Sequence, residues 1–359
     1  MLKANRHPLS GTFELTGRCN LSCKMCLVRV DRKRMAELNL RERTGEEWID
    51  MARQAAAAGT LSLLLTGGEP MLRPDFAEIY SAISQMGFLV TLYTNATMVT
   101  SSVMDVLRKN PPHKIGVTMY GASNETYAQL CHCPDGYDRF LAGMAQLMEL
   151  PSLLDTRTTI VQQNREDLPA MRSWVSETLG PKQVLHISRS VMRQIRGSVA
   201  NPQECRLEPG ENAELVYSWL FQLAKQIRSG AVSLPQAHQK LKLHQYAVPD
   251  SGHYLFEHCG AGLSSYTITW CGRMYACELL QEGYTEPFQS GFQAAWEHLP
   301  EQYPRSHAVG ACASCKLVDL CEACPAMRLT ETGNWFGVPE YACAEAQKMY
   351  EILNDIGAL

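Results

Sequence analysis

Short apolar runs and stretches of helical period alternate along the first half of the chain, and the order of these blocks predicts its elements. Gly11–Thr16 reads as a short strand that runs straight into a cysteine-bearing loop. Thr44 to Gly59 has the end signals of a helix. Thr44 and Glu47 form a capping box, the Gln54–Ala58 run has high helix propensity, and Gly59 suits the left-handed position past the last turn. Leu61–Thr66 is a continuous apolar run, as expected of a parallel strand buried on both faces. Pro74 to Met86 is the next helix, with proline in its first turn and Gly87 at its end. Beyond it the pattern predicts strands over Phe88–Thr94, Lys114–Met119, Asp155–Val161 and Gln183–Ser188. Helices are expected over Ser101–Lys109, Tyr137–Leu150 and Asp167–Leu179, the last closed by Gly180-Pro181.

Six β/α units in series indicate an α/β chain, its parallel sheet wrapped by helices. A closed eight-unit barrel needs two more units than the pattern supplies, so a partial (β/α)6 TIM-like barrel fits. Its chemistry should gather where the strands end. After about residue 195 the periodicity breaks. Asn201-Pro202 through Glu208-Pro209-Gly210 reads as a linker, followed by helices from Glu211 to about Ser229 and from Pro235 to Tyr246. Cys259 to Cys343 is loop-rich and too poor in apolar periodicity to build its own core, so metal is expected to staple it. The expected organisation is a barrel over residues 1–200, a helical linker over 201–250, and a small loop-rich, cysteine-bearing domain with a C-terminal helix over 251–359.

Composition narrows the function classes. With 359 residues, 45% hydrophobic, 19% charged and a net charge of −4, the chain has no basic surplus for nucleic acid or an anionic membrane surface. The N-terminal Met-Leu-Lys-Ala-Asn-Arg-His-Pro lacks an apolar signal core, and no apolar run is long enough to span a bilayer. A cytoplasmic location is expected, where fourteen cysteines argue for metal ligation over disulfides.

The candidate chemistry begins with Cys19, Cys23 and Cys26 in a C-x3-C-x2-C array. Thiolates are the usual ligands of iron–sulfur clusters, and three of them on a four-iron cluster leave one iron open. A zinc site missing its fourth ligand is the competing reading. About forty residues on, Leu63-Leu64-Leu65-Thr66-Gly67-Gly68-Glu69-Pro70 ends the second strand, its glycines permitting close approach and Glu69 supplying a carboxylate. The two motifs together resemble those of the radical S-adenosylmethionine (SAM) superfamily. In that family the open iron binds SAM, one electron cleaves it, and the resulting 5′-deoxyadenosyl radical abstracts hydrogen from a substrate. The resemblance implies the partial barrel and a SAM site at Thr66, Gly67, Gly68, Glu69 and Pro70, with Glu69 meeting the methionine amino group. It adds Asn95, Thr118, Asn164 and Arg189 at the mouth, although each residue also suits ordinary strand-end hydrogen bonding or a solvated face. Arg193 and Arg196 follow Arg189 on the same stretch. Leu130 stands where some relatives carry a SAM-binding arginine.

A second array reads Cys259-x12-Gly272-x4-Cys277, Cys312-x2-Cys315-x5-Cys321-x2-Cys324, and Cys343. It resembles the SPASM domain, the auxiliary-cluster module of radical SAM enzymes that mature peptides and proteins. Two residues separate Cys321 from Cys324, where that family more often has three. The resemblance implies three [4Fe–4S] clusters in all. One auxiliary cluster would sit on Cys259, Cys277 and Cys324, its fourth ligand open among His253, Cys271, Cys205 or an unligated iron. The other would sit on Cys312, Cys315, Cys321 and Cys343. Zinc ribbons compete for the same pairs. Glu278, beside Cys277, stands where sulfatase-maturing relatives carry a general base, and is the candidate catalytic residue. Cys131 and Cys133 at the barrel mouth are expected to be spare buried thiols, with a thiol hydrogen donor as the alternative.

The functional expectation is an oxidoreductase that cleaves SAM and oxidatively modifies or cross-links a residue of a ribosomally made peptide through a carbon–carbon or thioether bond. Sulfatase-type formylglycine formation, peptide epimerisation and small-molecule dehydrogenation are the alternatives within the family. The expected partners are a peptide or protein substrate and an external electron donor of flavodoxin or ferredoxin type. Because the barrel begins near residue 11, leader recognition is expected to need a separate leader-binding protein or another surface. An electron-transfer protein without chemistry of its own, or a zinc-stapled binding module, would be a different class altogether. The Gly67-Gly68-Glu69-Pro70 turn beside an incomplete ligand set argues against the first, and metal content separates the second.

Overall fold

The computed structural model describes residues 6–188, 191–216, 222, 225–226, 229, 256, 259–304, 312, 315–317, 320–321 and 323–355. Six parallel strands follow one another in register order: β1 (Ser10–Thr16), β2 (Ser62–Gly67), β3 (Leu89–Thr94), β4 (Lys114–Thr118), β5 (Leu153–Thr159) and β6 (His186–Ser188). Between them run α1 (Arg32–Glu37), α2 (Gly45–Ala57), α3 (Phe76–Ser84), α4 (Ser101–Lys109), α5 (Asn124–Cys131), α6 (Gly136–Leu147) and α7 (Leu168–Leu179). The six-unit open barrel expected from the pattern is the architecture found, and every strand stands within a few residues of its expected place.

One expectation changes. Leu61–Thr66 is not uniformly buried: Leu63 and Leu65 are fully buried, while Leu64 between them and Thr66 after them are partly exposed. Neighbouring strand positions point to opposite faces, and here only one face packs under helices. Phe13, paired with Leu65, lies 5.0 Å ring to ring from Trp48 of α2. The alternate positions line an open barrel and are correspondingly polar: Thr12, Glu14, Thr66, Tyr93 and Arg157, the last stacked 3.8 Å over the Tyr93 ring.

The sheet also continues past β1. Strand β7 (Ser265–Ile268) pairs parallel with β1, and β8 (Met274–Tyr275) returns antiparallel beside β7, so the order is β6-β5-β4-β3-β2-β1-β7-β8. Two short helices, α9 (Pro287–Ser290) and α10 (Phe292–His298), follow the hairpin. Tyr266 of β7 stacks edgewise on Phe292 and Trp296 and shares a 3.0 Å hydrogen bond with Thr60. Residues 259–303 therefore belong to the barrel's compact unit, together with residues 1–205. The second unit comprises 206–258 and 304–359. This division cuts across the expected boundaries at residues 200 and 250, because β7 completes the barrel's edge. In the second unit α8 (Pro209–Val216) and α12 (Glu340–Asp355) bury Ala213, Leu320, Ala346, Met349 and Leu353 together. Helix α11 (Pro325–Thr332) is tied to the segment before α8 by the Arg206–Glu331 ion pair at 3.0 Å. The expected helix from Pro235 to Tyr246 lies outside the described residues. No helix among the described residues is long and apolar enough to cross a membrane.

Candidate metal and cofactor site

The loop after β1 carries the three N-terminal cysteines to the C-terminal ends of the strands. Neighbouring elements pin it through its backbone. Ser22 and Lys24 donate to the carbonyls of Cys131 and Leu130 at the end of α5, at 2.9 and 3.0 Å. On the other side Ile195 donates to Leu27, Val199 to Arg29, and the Ser198 hydroxyl to the Cys26 carbonyl, each at 3.1 Å. The β2 turn closes beneath: Gly68 donates to Thr16 at 2.8 Å and Glu69 to Arg18 at 2.9 Å. A Cβ at Gly67 or Gly68 would strike the Thr16 or Arg18 carbonyl. The glycines thus let the cysteine loop's own backbone come close, a demand additional to any ligand's.

Three thiols are brought together here. Burial first, then the Glu69 charge and the other thiols, push Cys19 well above the ordinary thiol range. Its hydrogen bond with Cys131, then burial, does the same to Cys23, and burial with the Cys23 charge pushes Cys26 up to about 11. Thiols crowded and desolvated in this way need positive metal to ionise. The loop already supplies N–H donors for the thiolates: Leu21 donates to Cys19 Sγ at 3.4 Å and Arg29 to Cys26 Sγ at 3.2 Å. Among the described residues no three His, Cys, Asp or Glu side chains converge on a single ion. Three thiols on one loop are the donor set of a four-iron cluster with one iron left open.

The same wiring recurs at the C-terminal cysteines. Leu279 donates to Cys277 Sγ and Leu317 to Cys315 Sγ, both at 3.4 Å, and Met327 to Cys324 Sγ at 3.5 Å. In the second unit Cys312, Cys315, Cys321 and Cys343 are gathered. Burial, then the neighbouring charges of Cys312 and Cys315, raise the Cys321 thiol, and burial with the charges of Cys321, Cys312 and Cys315 raises that of Cys343. Cys259 and Cys277 lie in the first unit and Cys324 in the second. Of the residues considered as a fourth ligand, Cys205 is fully buried with its Sγ donating to the Pro202 carbonyl at 3.2 Å, and Cys271 pairs with the Thr269 hydroxyl at 3.4 Å. His253 lies outside the described residues.

The SAM-site candidates separate by what their side chains already do. Glu69 is fully buried, its carboxylate accepting from the Asn95 amide at 2.8 Å, the Met71 amide at 3.2 Å and the Thr94 hydroxyl at 3.0 Å. Burial, offset by these donors, brings its pKa up to about 7. Pro70 opens a short 3₁₀ turn that Glu69 caps. Thr66 and Thr118 stand half exposed at the ends of β2 and β4. Asn164 is buried and fully engaged, accepting from Val161 at 2.8 Å and donating to Tyr120 and Thr159 at 2.9 and 3.0 Å. Its role in this structure is to tie the β4 and β5 ends together. Arg189 lies outside the described residues. Glu278 is exposed, and its backbone carbonyl accepts from Arg196 at 2.8 Å.

Sequence reading missed Glu14. It projects from β1 into the barrel and pairs at 2.6 Å with Arg196, whose side chain is as buried as its own. Burial pushes Glu14 up, against the pull of Arg196 and with an added push from the Glu278 charge. The available signal was the one charged residue of the strand, at a position alternating with Phe13 and Leu15. Arg196 is thus an internal anchor and no part of a solvated charged face.

Residues 13–175 match the model of the radical SAM superfamily. Over that span the chain is a radical SAM domain. SAM and a [4Fe–4S] cluster are the cofactors that this superfamily implies. The AdoMet-dependent heme synthase of Methanosarcina barkeri is 24% identical over 95% of this chain and 98% of its own length. The PqqA peptide cyclase of Rhizobium meliloti is 33% identical, but the match spans 38% of this chain and 35% of the cyclase. Among solved structures, Streptococcus suis SuiB bound to precursor peptide SuiA superposes with a TM-score of 0.67 at 17% identity. That match covers 95% of this chain and 78% of SuiB.

Proposed function

We propose that this radical SAM enzyme oxidatively modifies or cross-links a residue of a ribosomally made peptide and carries two auxiliary [4Fe–4S] clusters besides the SAM cluster. The observation that carries the auxiliary assignment is the gathering of Cys312, Cys315, Cys321 and Cys343 in a unit separate from the Cys19, Cys23 and Cys26 triad. The peptide reading is supported by the likeness to SuiB, solved with its precursor peptide, and to a PqqA peptide cyclase. Cys19, Cys23 and Cys26 would hold the cluster, which together with SAM would supply radical hydrogen-atom abstraction from the substrate. The chain's own residues position and shield. The donors to Cys19 and Cys26 hold the triad, the Gly67-Gly68 turn seats the loop, and the Glu14–Arg196 pair fixes the turn carrying Glu278. Glu278, exposed beside Cys277, is our candidate to take the proton released on oxidation. A flavodoxin or ferredoxin would supply electrons in the cytoplasm, and a separate protein would deliver the leader.

A second reading has its own support. The heme synthase of M. barkeri aligns over 95% of this chain and 98% of its own length, which favours a porphyrin substrate. One experiment decides between them. Cluster-loaded protein is incubated with SAM, a reductant and either a candidate precursor peptide or an iron porphyrin. 5′-Deoxyadenosine and product mass are then followed. Loss of two hydrogens from the peptide is expected. Turnover of the porphyrin with the peptide untouched overturns the peptide reading.

A further inference from the structure

Asn95 follows the last residue of β3, and its side chain is wired on both ends. Its Oδ1 accepts from the Thr97 amide at 2.9 Å and the Thr97 hydroxyl at 2.6 Å. Because a backbone N–H can only donate, the oxygen must face Thr97, and the orientation of the Asn95 amide follows. Its Nδ2 is therefore directed the other way, to Cys19 Sγ at 3.7 Å and Asn20 Oδ1 at 3.0 Å. Asn20 in turn donates to the Thr97 hydroxyl at 2.8 Å, which closes a ring of three side chains against the first cluster cysteine.

The backbone is held in a costly conformation to make this ring. Ala96, between Asn95 and Thr97, is fully buried with φ +60°. A non-glycine residue in the left-handed region costs on the order of 1 kcal/mol and persists where its surroundings over-determine it. Three contacts do so here. The Ala96 amide donates to Thr94 Oγ at 3.0 Å, the Asn95 amide donates to Glu69 at 2.8 Å, and Gly143 of α6 lies so close that a Cβ there would strike the Ala96 carbonyl. Cys19 is the triad cysteine that receives this side-chain amide, beyond the loop N–H that Cys26 also has.

We propose that Asn95 is a positioning residue that sets the reduction potential of the SAM cluster through an N–H···S hydrogen bond to Cys19, with Thr97 and Glu69 fixing its aim. The inference rests on Cys19 being a cluster ligand. An N–H donor draws charge from a ligating sulfur and so stabilises the reduced, more negative cluster, which raises its potential. Removing the donor lowers it.

The test uses the full chain loaded with iron and sulfide, without substrate. The cluster's midpoint is read by redox titration with electron paramagnetic resonance, and the SAM cluster is identified by the change in its signal on SAM addition. Asn95→Leu should hold wild-type iron and shift the midpoint to more negative potential. Thr97→Val, which keeps the amide but loosens its aim, should shift it the same way by less. If Asn95→Leu fails to retain the cluster, the Thr97→Val midpoint decides alone. A midpoint equal to wild type in a cluster-loaded variant overturns the proposal, even if SAM binding falls, since Asn95 would then serve the cofactor only. Failure of the wild-type chain to assemble a SAM-responsive cluster would instead count against the cluster assignment itself.

Discussion

Glu69 is the residue at which sequence and structure diverge most usefully. Its place after two glycines reads as a carboxylate offered to SAM, yet its oxygens accept from the Asn95 and Met71 amides and the Thr94 hydroxyl. The carboxylate joins the ends of β2 and β3, so a change at Glu69 is expected to reach the proposed SAM site through Asn95. Glu69→Gln would turn an NH₂ group toward one of two backbone N–H donors, and losing a hydrogen bond to a buried charge costs about 1.5–3 kcal/mol. We expect unchanged iron content and SAM affinity lowered by about ten- to hundredfold, read by calorimetry on the cluster-loaded protein. Wild-type affinity would mean that neither the carboxylate nor the strand ends it joins matter to SAM. The motif was legible because its residues are contiguous. The role was not, because the Thr94 and Asn95 partners lie at the end of another strand, outside any local pattern.

At the scale of elements, end signals read best. Thr44 caps α2, its hydroxyl accepting from Glu47 at 3.2 Å while Glu47 accepts from the Thr44 amide at 2.7 Å. Thr44→Ala should destabilise the protein by about 1 kcal/mol in chemical denaturation. The pH dependence has a definite sign. Hydrogen bonds from Arg41, against partial burial and with the Thr44 amide, hold Glu47 down at about 2 from an ordinary 4.5. A carboxyl whose folded pKa is lowered contributes stability above its unfolded pKa and loses it as pH falls through the folded one. Between pH 4.5 and about 2 the wild type should therefore lose more stability than Glu47→Gln, a difference thermal melts across that window will show. Less legible were α1 and α5, of six and eight residues, each too short to establish a period. Strand β7 was beyond reach for another reason. Its four residues gain their place by pairing with β1, some 250 residues earlier, and no local propensity encodes that.

For the whole molecule, the two compact units each hold gathered thiols of their own, and the proposed division of labour makes their functions separable. By the ligand count, the loaded chain should hold about twelve irons in three clusters. Changing Cys19, Cys23 and Cys26 together to alanine should remove about a third of them and all SAM cleavage. The converse change is the sharper test. Cys312 and Cys315 belong to the second unit, whereas the triad and the Gly67-Gly68-Glu69-Pro70 turn belong to the first, with its own sheet and core. Cys312→Ala with Cys315→Ala should thus leave reductive SAM cleavage measurable while the modified product disappears. Metal ligation supports the folding of loop-rich segments, so the variant's solubility and its remaining iron, about eight atoms, must be measured alongside. Full product formation by that variant would make the second thiol set a structural staple, and a peptide-modifying mechanism that depends on auxiliary clusters would have to be abandoned.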